Sequence, residues 1–404
     1  MPEANPPDDD RDSPIPGVKR PVFLLGIVSF LTDISSEMVY PLVPLFLTSE
    51  LGAPLAAVGL IEGLAESAAS LFKTAGGWVS DRLRVRRSLV MVGYALSALA
   101  KPLMAAANGW PVVLLIRFQD RVGKGVRTAP RDALVADVTP PDRRGRAFGF
   151  HRAADTVGAV VGSAIALGLL ASLGDEFRVI FLIAAVPAVV GVPLVLLVRE
   201  RPPAATPAGA RPANWRDLGG AFYVFLGISL VFALGNSSDA FLLLRAKDLG
   251  LSNAEVVLGY VLFNAVYAAA AMPAGIVSDR LGRVGVMGGG FAVFAGVYLG
   301  FALTGGGAAV WPLLAVYGMY MALTEGVGRA FVVDFVPSAR RATALGVYQG
   351  AMGAMILLSS VLAGALWDAI DPAAPFVLGG VTALVALTGL IAFRRRMTVH
   401  HGLG

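Results

Sequence analysis

Apolar stretches of about 18–28 residues recur along the chain, parted by short segments that are polar or basic. A helix rises about 1.5 Å per residue, so roughly 20 apolar residues cross a bilayer. That length predicts transmembrane helices over 21–48, 56–79, 88–107, 111–136, 146–171, 178–198, 218–245, 255–277, 285–304, 310–333, 342–366 and 376–393. The predicted fold class is therefore an all-α polytopic membrane protein with twelve transmembrane helices.

The fourth span breaks the pattern. Between Trp110 and Thr139 it carries Arg117, Asp120, Arg121, Lys124, Arg127, Arg131 and Asp132. At about 100° per helical residue these seven charges fall within about 140° of the circumference, opposite Leu115, Val122, Val126, Ala129 and Ala133. A charge at the bilayer centre costs at least about 2.5–3.5 kcal/mol, so such a helix is predicted to line a polar cavity. Taken alone, the segment leaves a soluble amphipathic helix with a solvated face as the lesser alternative; its apolar neighbours remove that reading.

Composition sharpens the picture. With 56% hydrophobic and 15% charged residues, the chain departs from the roughly 45–50% apolar and 25% charged of soluble domains. There is no cysteine, which excludes disulfides, thiolate metal sites and cysteine nucleophiles, and of the three histidines only His151 lies in an apolar segment. The net charge of +5 comes from arginines in short loops: Arg82, Arg84, Arg86 and Arg87, then Arg143, Arg144 and Arg146, Arg199, Arg201, Arg211 and Arg216, Arg280 and Arg283, Arg340 and Arg341, and Arg394 to Arg396. All fall on one side, while Arg178 and Lys247 come near the other. This is a topology signal and not a nucleic-acid groove, and it places both termini in the cytoplasm. Residues 1–20, with Asp8, Asp9 and Asp10, lack the layout of a cleavable signal and read as a disordered cytoplasmic tail.

An internal repeat appears at a spacing of about 198 residues. Gly77-Trp78-Val79-Ser80-Asp81-Arg82 is echoed by Gly275-Ile276-Val277-Ser278-Asp279-Arg280, and Leu51-Gly52 by Leu249-Gly250. Asp137-Val138-Thr139-Pro140 is echoed by Asp334-Phe335-Val336-Pro337, and Ser35-Ser36-Glu37 resembles Ser237-Ser238-Asp239, displaced by about one turn. The expected organisation is two pseudo-symmetric six-helix halves, 21–198 and 218–393, joined by a cytoplasmic linker over 199–217, with a second cytoplasmic tail over 394–404.

The candidate chemistry is uneven between the halves. Asp33 and Glu37 lie one turn apart on span 1, Glu62 and Glu66 one turn apart on span 2, and span 5 adds His151, Arg152 and Asp155. Beside the arc of Arg117, Arg121, Lys124 and Arg131, these acids are candidate proton carriers: Asp33, Glu37, Glu62, Glu66 and Asp155. Each alone reads equally as a structural pair; together they favour cavity lining and proton relay. Tyr40 joins the predicted substrate cavity, and the second half offers Asn236, Asp239, Asn264, Tyr267, Tyr317, Tyr320, Glu325 and Arg329. Gly77, Asp81 and Arg82, with Gly275, Asp279 and Arg280, form a predicted gating motif, because an Asp at a helix end can lock to a neighbouring helix N-terminus in one conformation and leave it in another. Gly123, Gly125 and Pro130 allow either a bend or close packing in span 4.

These motifs resemble the major facilitator superfamily. Gly275-x-x-x-Asp279-Arg280-x-Gly282-Arg283 is similar to that family's signature loop, while the first copy departs from it with Arg84 where glycine is usual. Arg117, ahead of Asp120 and Gly123, resembles the family's fourth-helix arginine motif, which the resemblance links to proton coupling. Gly158-x-x-x-Gly162 resembles the antiporter glycine motif, with Ser163 in place of the usual proline. Asp33 to Met38 and Gly123 to Asp132 resemble a bacterial subgroup labelled drug- or nickel-efflux permeases. The resemblance implies the major facilitator fold and a transporter of the bacterial inner membrane, moving a small organic solute by alternating access, by proton-coupled efflux (antiport). Uptake of an anionic metabolite and efflux of a metal ion are the alternatives. An enzyme is not expected, since no Ser-His-Asp set, HExxH or phosphate-cradling loop is present, and a passive channel leaves the paired motifs unexplained. The expected partners are the lipid bilayer, the small-molecule substrate and protons, with a monomer, no cofactor, no metal and no nucleic acid.

Overall fold

The computed structural model describes residues 14–15, 18–83, 85–140, 143–198, 215–337 and 340–394. Most of both tails and of the predicted linker, Arg84, and the side chain of Asp81 lie outside this description. The described regular structure is helical. It comprises α1 (Arg20–Val39), α2 (Leu55–Leu83), α3 (Arg86–Ala105), α4 (Trp110–Val138), α5 (Arg144–Leu173), α6 (Phe177–Leu194), α7 (Gly220–Gly235), α8 (Ala240–Asp248), α9 (Asn253–Leu281), α10 (Arg283–Leu303), α11 (Val310–Asp334), α12 (Arg341–Ala369) and α13 (Ala374–Ala392). Counting α7 and α8 as one span gives twelve. Eleven are long and apolar enough to cross a membrane; α4 is the twelfth, and its charges set it apart.

Two predicted spans differ in detail. The first, 21–48, is regular only to Val39 and then passes through a tight turn over Tyr40–Leu42 and a wide one over Phe46–Glu50. Pro41 and Pro44 supply no N–H and crowd the preceding turn, which accounts for the irregularity. The seventh, 218–245, is broken: 236–239 is not helical. Gly235, Asn236, Ser237, Ser238 and Asp239 are all weak helix formers, and four of them have side chains that compete for backbone hydrogen bonds.

The chain divides into two compact units, one of Met1–Phe46 with Ala68–Ala208, the other of Leu47–Ser67 with Gly209–Gly404. Helix α2 is thus shared, its first part in the second unit. In the first unit α1 packs on α5 and α6, and α3 on α4 and α6, around Val22, Leu25, Val28, Val90, Tyr94, Leu134 and Val135. In the second, α11 packs on α9 and α10, and α13 on α7 and α10. Phe232 stacks on Phe291 there and meets Phe294 edge to face, and Phe294 stacks in turn on Tyr298. The first part of α2 sits tightly against α12, because a Cβ at Gly59, Gly63 or Gly364 would run into opposing backbone. Asp368 completes that seam by accepting hydrogen bonds from the N–H groups of Leu55 at 3.1 Å and Ala56 at 2.8 Å, at the α2 N-terminus.

Candidate substrate cavity

Helix α4 is wedged in place by glycine. Gly123 faces the Gly93 carbonyl of α3, where a Cβ would come to 2.7 Å, and Gly125 faces Phe72 and the Ala69 carbonyl of α2 at 2.7 and 2.8 Å. Close packing therefore explains these glycines, and α4 remains one helix through Pro130. Gly158 and Gly162 likewise seat α5 on α1, against the Phe30 and Ile34 backbone and beside Asp33.

The charges of α4 divide by partner. Arg127 is 5% exposed and turns to α3, donating to the Ser97 hydroxyl at 2.6 Å and the Gly93 carbonyl at 3.3 Å, with its guanidinium 4.6 Å from the Tyr94 ring. Asp120 accepts from Lys101 of α3 at 3.2 Å and lies 4.0 Å from Arg117; Lys101 also reaches the Ser36 hydroxyl of α1 at 3.4 Å. Buried charge is tolerated only when paired in this way. Arg117 and Arg121 each stand 5.6 Å from the Tyr40 ring, a cation–π pair from one side chain to two cations. Lys124 is exposed.

These residues meet at a partly open polar cavity lined by Asp33, Ser36, Glu37, Val39, Tyr40, Ala100, Lys101, Met104, Arg117, Asp120, Arg121, Lys124 and Arg127. Three acids face five cations, an arrangement that orients a polar solute and favours an anionic group on it. Tyr40, Arg117, Arg121, Lys124, Asp33 and Glu37 thus come together. Arg131 does not line the cavity: it binds Asp132 at 3.0 Å and donates to Ser29 at 3.1 Å, and its charge acts on Asp155, which pairs with His151 at 3.5 Å. Lys101 and Ser97 escaped the sequence reading; the signal for Lys101 was a lone lysine inside an apolar span.

The remaining predicted residues lie in the second unit. Asp239 accepts from Tyr317 at 2.6 Å, Asn236 donates to Tyr320 at 3.0 Å and Tyr267 donates to Glu325 at 3.0 Å. Asn264 bonds only its own helix, through the Tyr260 carbonyl at 2.9 Å. Glu62, 1% exposed, and Glu66 lie on the part of α2 held by this unit, where their charges act on Asp239.

The residues of the predicted gating motif lie on the last turns of α2 and α9. Arg82 stacks on Trp78 at 5.1 Å. Asp279 pairs with Arg283 at 2.7 Å, and Arg283 also binds Asp334 at 3.3 Å and the Ser278 hydroxyl at 2.6 Å. Arg86 pairs with Asp137 in the first unit, the same contact at the repeated positions.

Twelve spans in two compact units, with an ion-lined cavity between membrane helices of the first, define a polytopic membrane transporter. The sequence pattern of the Major Facilitator Superfamily matches residues 25–244 and 224–403, and the chain belongs to this family. It is 35% identical over 385 residues to an uncharacterized MFS-type transporter of Methanocaldococcus jannaschii, covering 94% of this chain and 95% of that one. Over 148 residues, 37% of each chain, it is 30% identical to a multidrug resistance protein, MdtH, of Cronobacter sakazakii. The crystal structure of the nucleoside transporter NupG shares the fold, with a TM-score of 0.74 at 16% identity, covering 94% of this chain and 100% of that one.

Proposed function

We propose that the chain is a proton-coupled secondary transporter of the inner membrane that exports a small organic solute in exchange for protons, and that it is not an enzyme. The observation that carries this reading is the α4 cavity, in which three acids and five cations converge between membrane spans. Maintaining that many charges in an apolar bundle is costly, and a polar solute that must cross gives the cost a use. Arg117, Arg121, Lys124 and Tyr40 bind the solute, while Asp33 and Glu37, with Asp155, Glu62 and Glu66 as further candidates, exchange protons. The site opens first to one side and then to the other. The molecule works as a monomer of two six-helix halves, 21–198 and 218–393, joined by the 199–217 linker, with both termini cytoplasmic. The partial similarity to a multidrug resistance protein supports export. The excess of cations in the cavity favours a second reading, uptake of an anionic metabolite.

Proteoliposomes under an imposed pH gradient test the proposal with a panel of drug-like dyes and small organic acids. Gradient-driven flux of at least one compound, abolished by a protonophore, is expected; flux of every compound indifferent to the gradient contradicts it.

A further inference from the structure

The broken seventh span is a feature the α4 cavity does not use. Sixteen residues of α7 precede the break and nine of α8 follow it, so at about 1.5 Å per residue the break falls within the hydrocarbon layer. Non-helical backbone at that depth persists only where protein or water satisfies it. Here α12 does so: the Ser359 hydroxyl donates to the Asn236 carbonyl at 3.2 Å, and the Ser238 N–H donates to the Ser360 hydroxyl at 3.1 Å. Asp239 occupies the N-cap position of α8, yet its carboxylate makes no cap. It turns instead to α11 and accepts the Tyr317 hydroxyl at 2.6 Å.

We propose that Asp239 is a proton-exchanging residue that governs the break in the seventh span. Ionised, it takes the Tyr317 hydroxyl in a charge-assisted bond and holds the unwound turn against α11; protonated, it loses the charge in that bond and lets α8 move against α7. A charge-assisted hydrogen bond is about twice as strong as a neutral one, so one proton changes the hold substantially. The groups facing Asp239 are Tyr317, Tyr320 and Glu325 from α11, Tyr298 from α10, and Glu62 and Glu66 from α2. On its own span, Arg245 is engaged by Asp248 at 2.5 Å. The proposal rests on the proton-coupled reading above for its place in transport, and adds to the first-unit acids a proton site in the other unit.

Infrared difference spectroscopy of the reconstituted chain, between neutral and acidic pH, tests this without any solute. A protonated-carboxyl C=O band should appear on acidification, vanish in Asp239→Asn, and persist at higher frequency in Tyr317→Phe, which removes the donor. If Asp239→Asn does not fold, Tyr317→Phe and Asp239→Glu decide the matter: a band displaced in both supports the assignment, and one unmoved in both overturns it. An unchanged band in folded Asp239→Asn overturns it, as does a band that answers to sodium at fixed pH but not to acid. A chain that shows the Asp239 band yet moves no solute on a pH gradient refutes the transport reading and leaves this assignment standing.

Discussion

The two units repeat their helix ends and diverge in their middles. Arg86 with Asp137 in one and Arg283 with Asp334 in the other are the same contact at repeated positions. The Ser-Ser-acid triplets do not behave alike. Ser35, Ser36 and Glu37 remain within α1, whereas Ser237, Ser238 and Asp239 are unwound. The flanking residues decide: Ile34 and Met38 favour the helix on one side, while Gly235 and Asn236 weaken it on the other. The pocket chemistry splits likewise, into paired ions on α3 and α4 and into phenols and carboxylates on α9 and α11. A duplicated framework retains the contacts that secure helix ends and frees the membrane interior to take up separate tasks.

The largest expected effect is on the ion-paired side. Asp120→Ala leaves Lys101 buried at 3% exposure without its carboxylate, and a broken buried pair costs about 3–5 kcal/mol. Thermal unfolding in detergent should show a marked loss of stability, and Asp239→Asn, which leaves no buried cation stranded, a smaller one; equal losses would erase the contrast between the units. Next in size, Arg121→Ala should weaken tracer uptake of the transported solute roughly tenfold, the scale of one hydrogen bond to a charged group. Arg121→Lys should not restore it, because lysine lacks the planar fork that stacks on Tyr40. The smallest effect belongs to the repeated ends: Arg86→Ala and Arg283→Ala, each at a helix end, should cost less than Asp120→Ala, and by similar amounts. A large difference between them in the same unfolding assay would show that the repeat is not equivalent there.

Hydropathy made the spans legible, since the bilayer imposes a length that sequence alone can meet. Span 4 was predicted over 111–136 and is helical over Trp110–Val138. Its charged arc was legible for the same reason. Which of the cavity-lining charges also hold helices together was not, because Arg127 and Asp120 are distinguished from Arg121 and Lys124 only by the neighbours that Ser97 and Lys101 of α3 provide. The break at 236–239 was equally hidden. Its residues are poor helix formers, but its satisfaction depends on Ser359 and Ser360, more than a hundred positions away.

The central claim is that the charged face of α4 lines a water-filled cavity. The chain has no cysteine, so single cysteines report without background. Labelling by a membrane-impermeant, water-soluble maleimide in opened membrane vesicles should be rapid at Arg121→Cys and Lys124→Cys, and absent at Val113→Cys, which is fully buried, and at Leu115→Cys, which stands 69% exposed on the apolar side. Labelling at Val113 and Leu115 with protection at Arg121 and Lys124 would contradict the account.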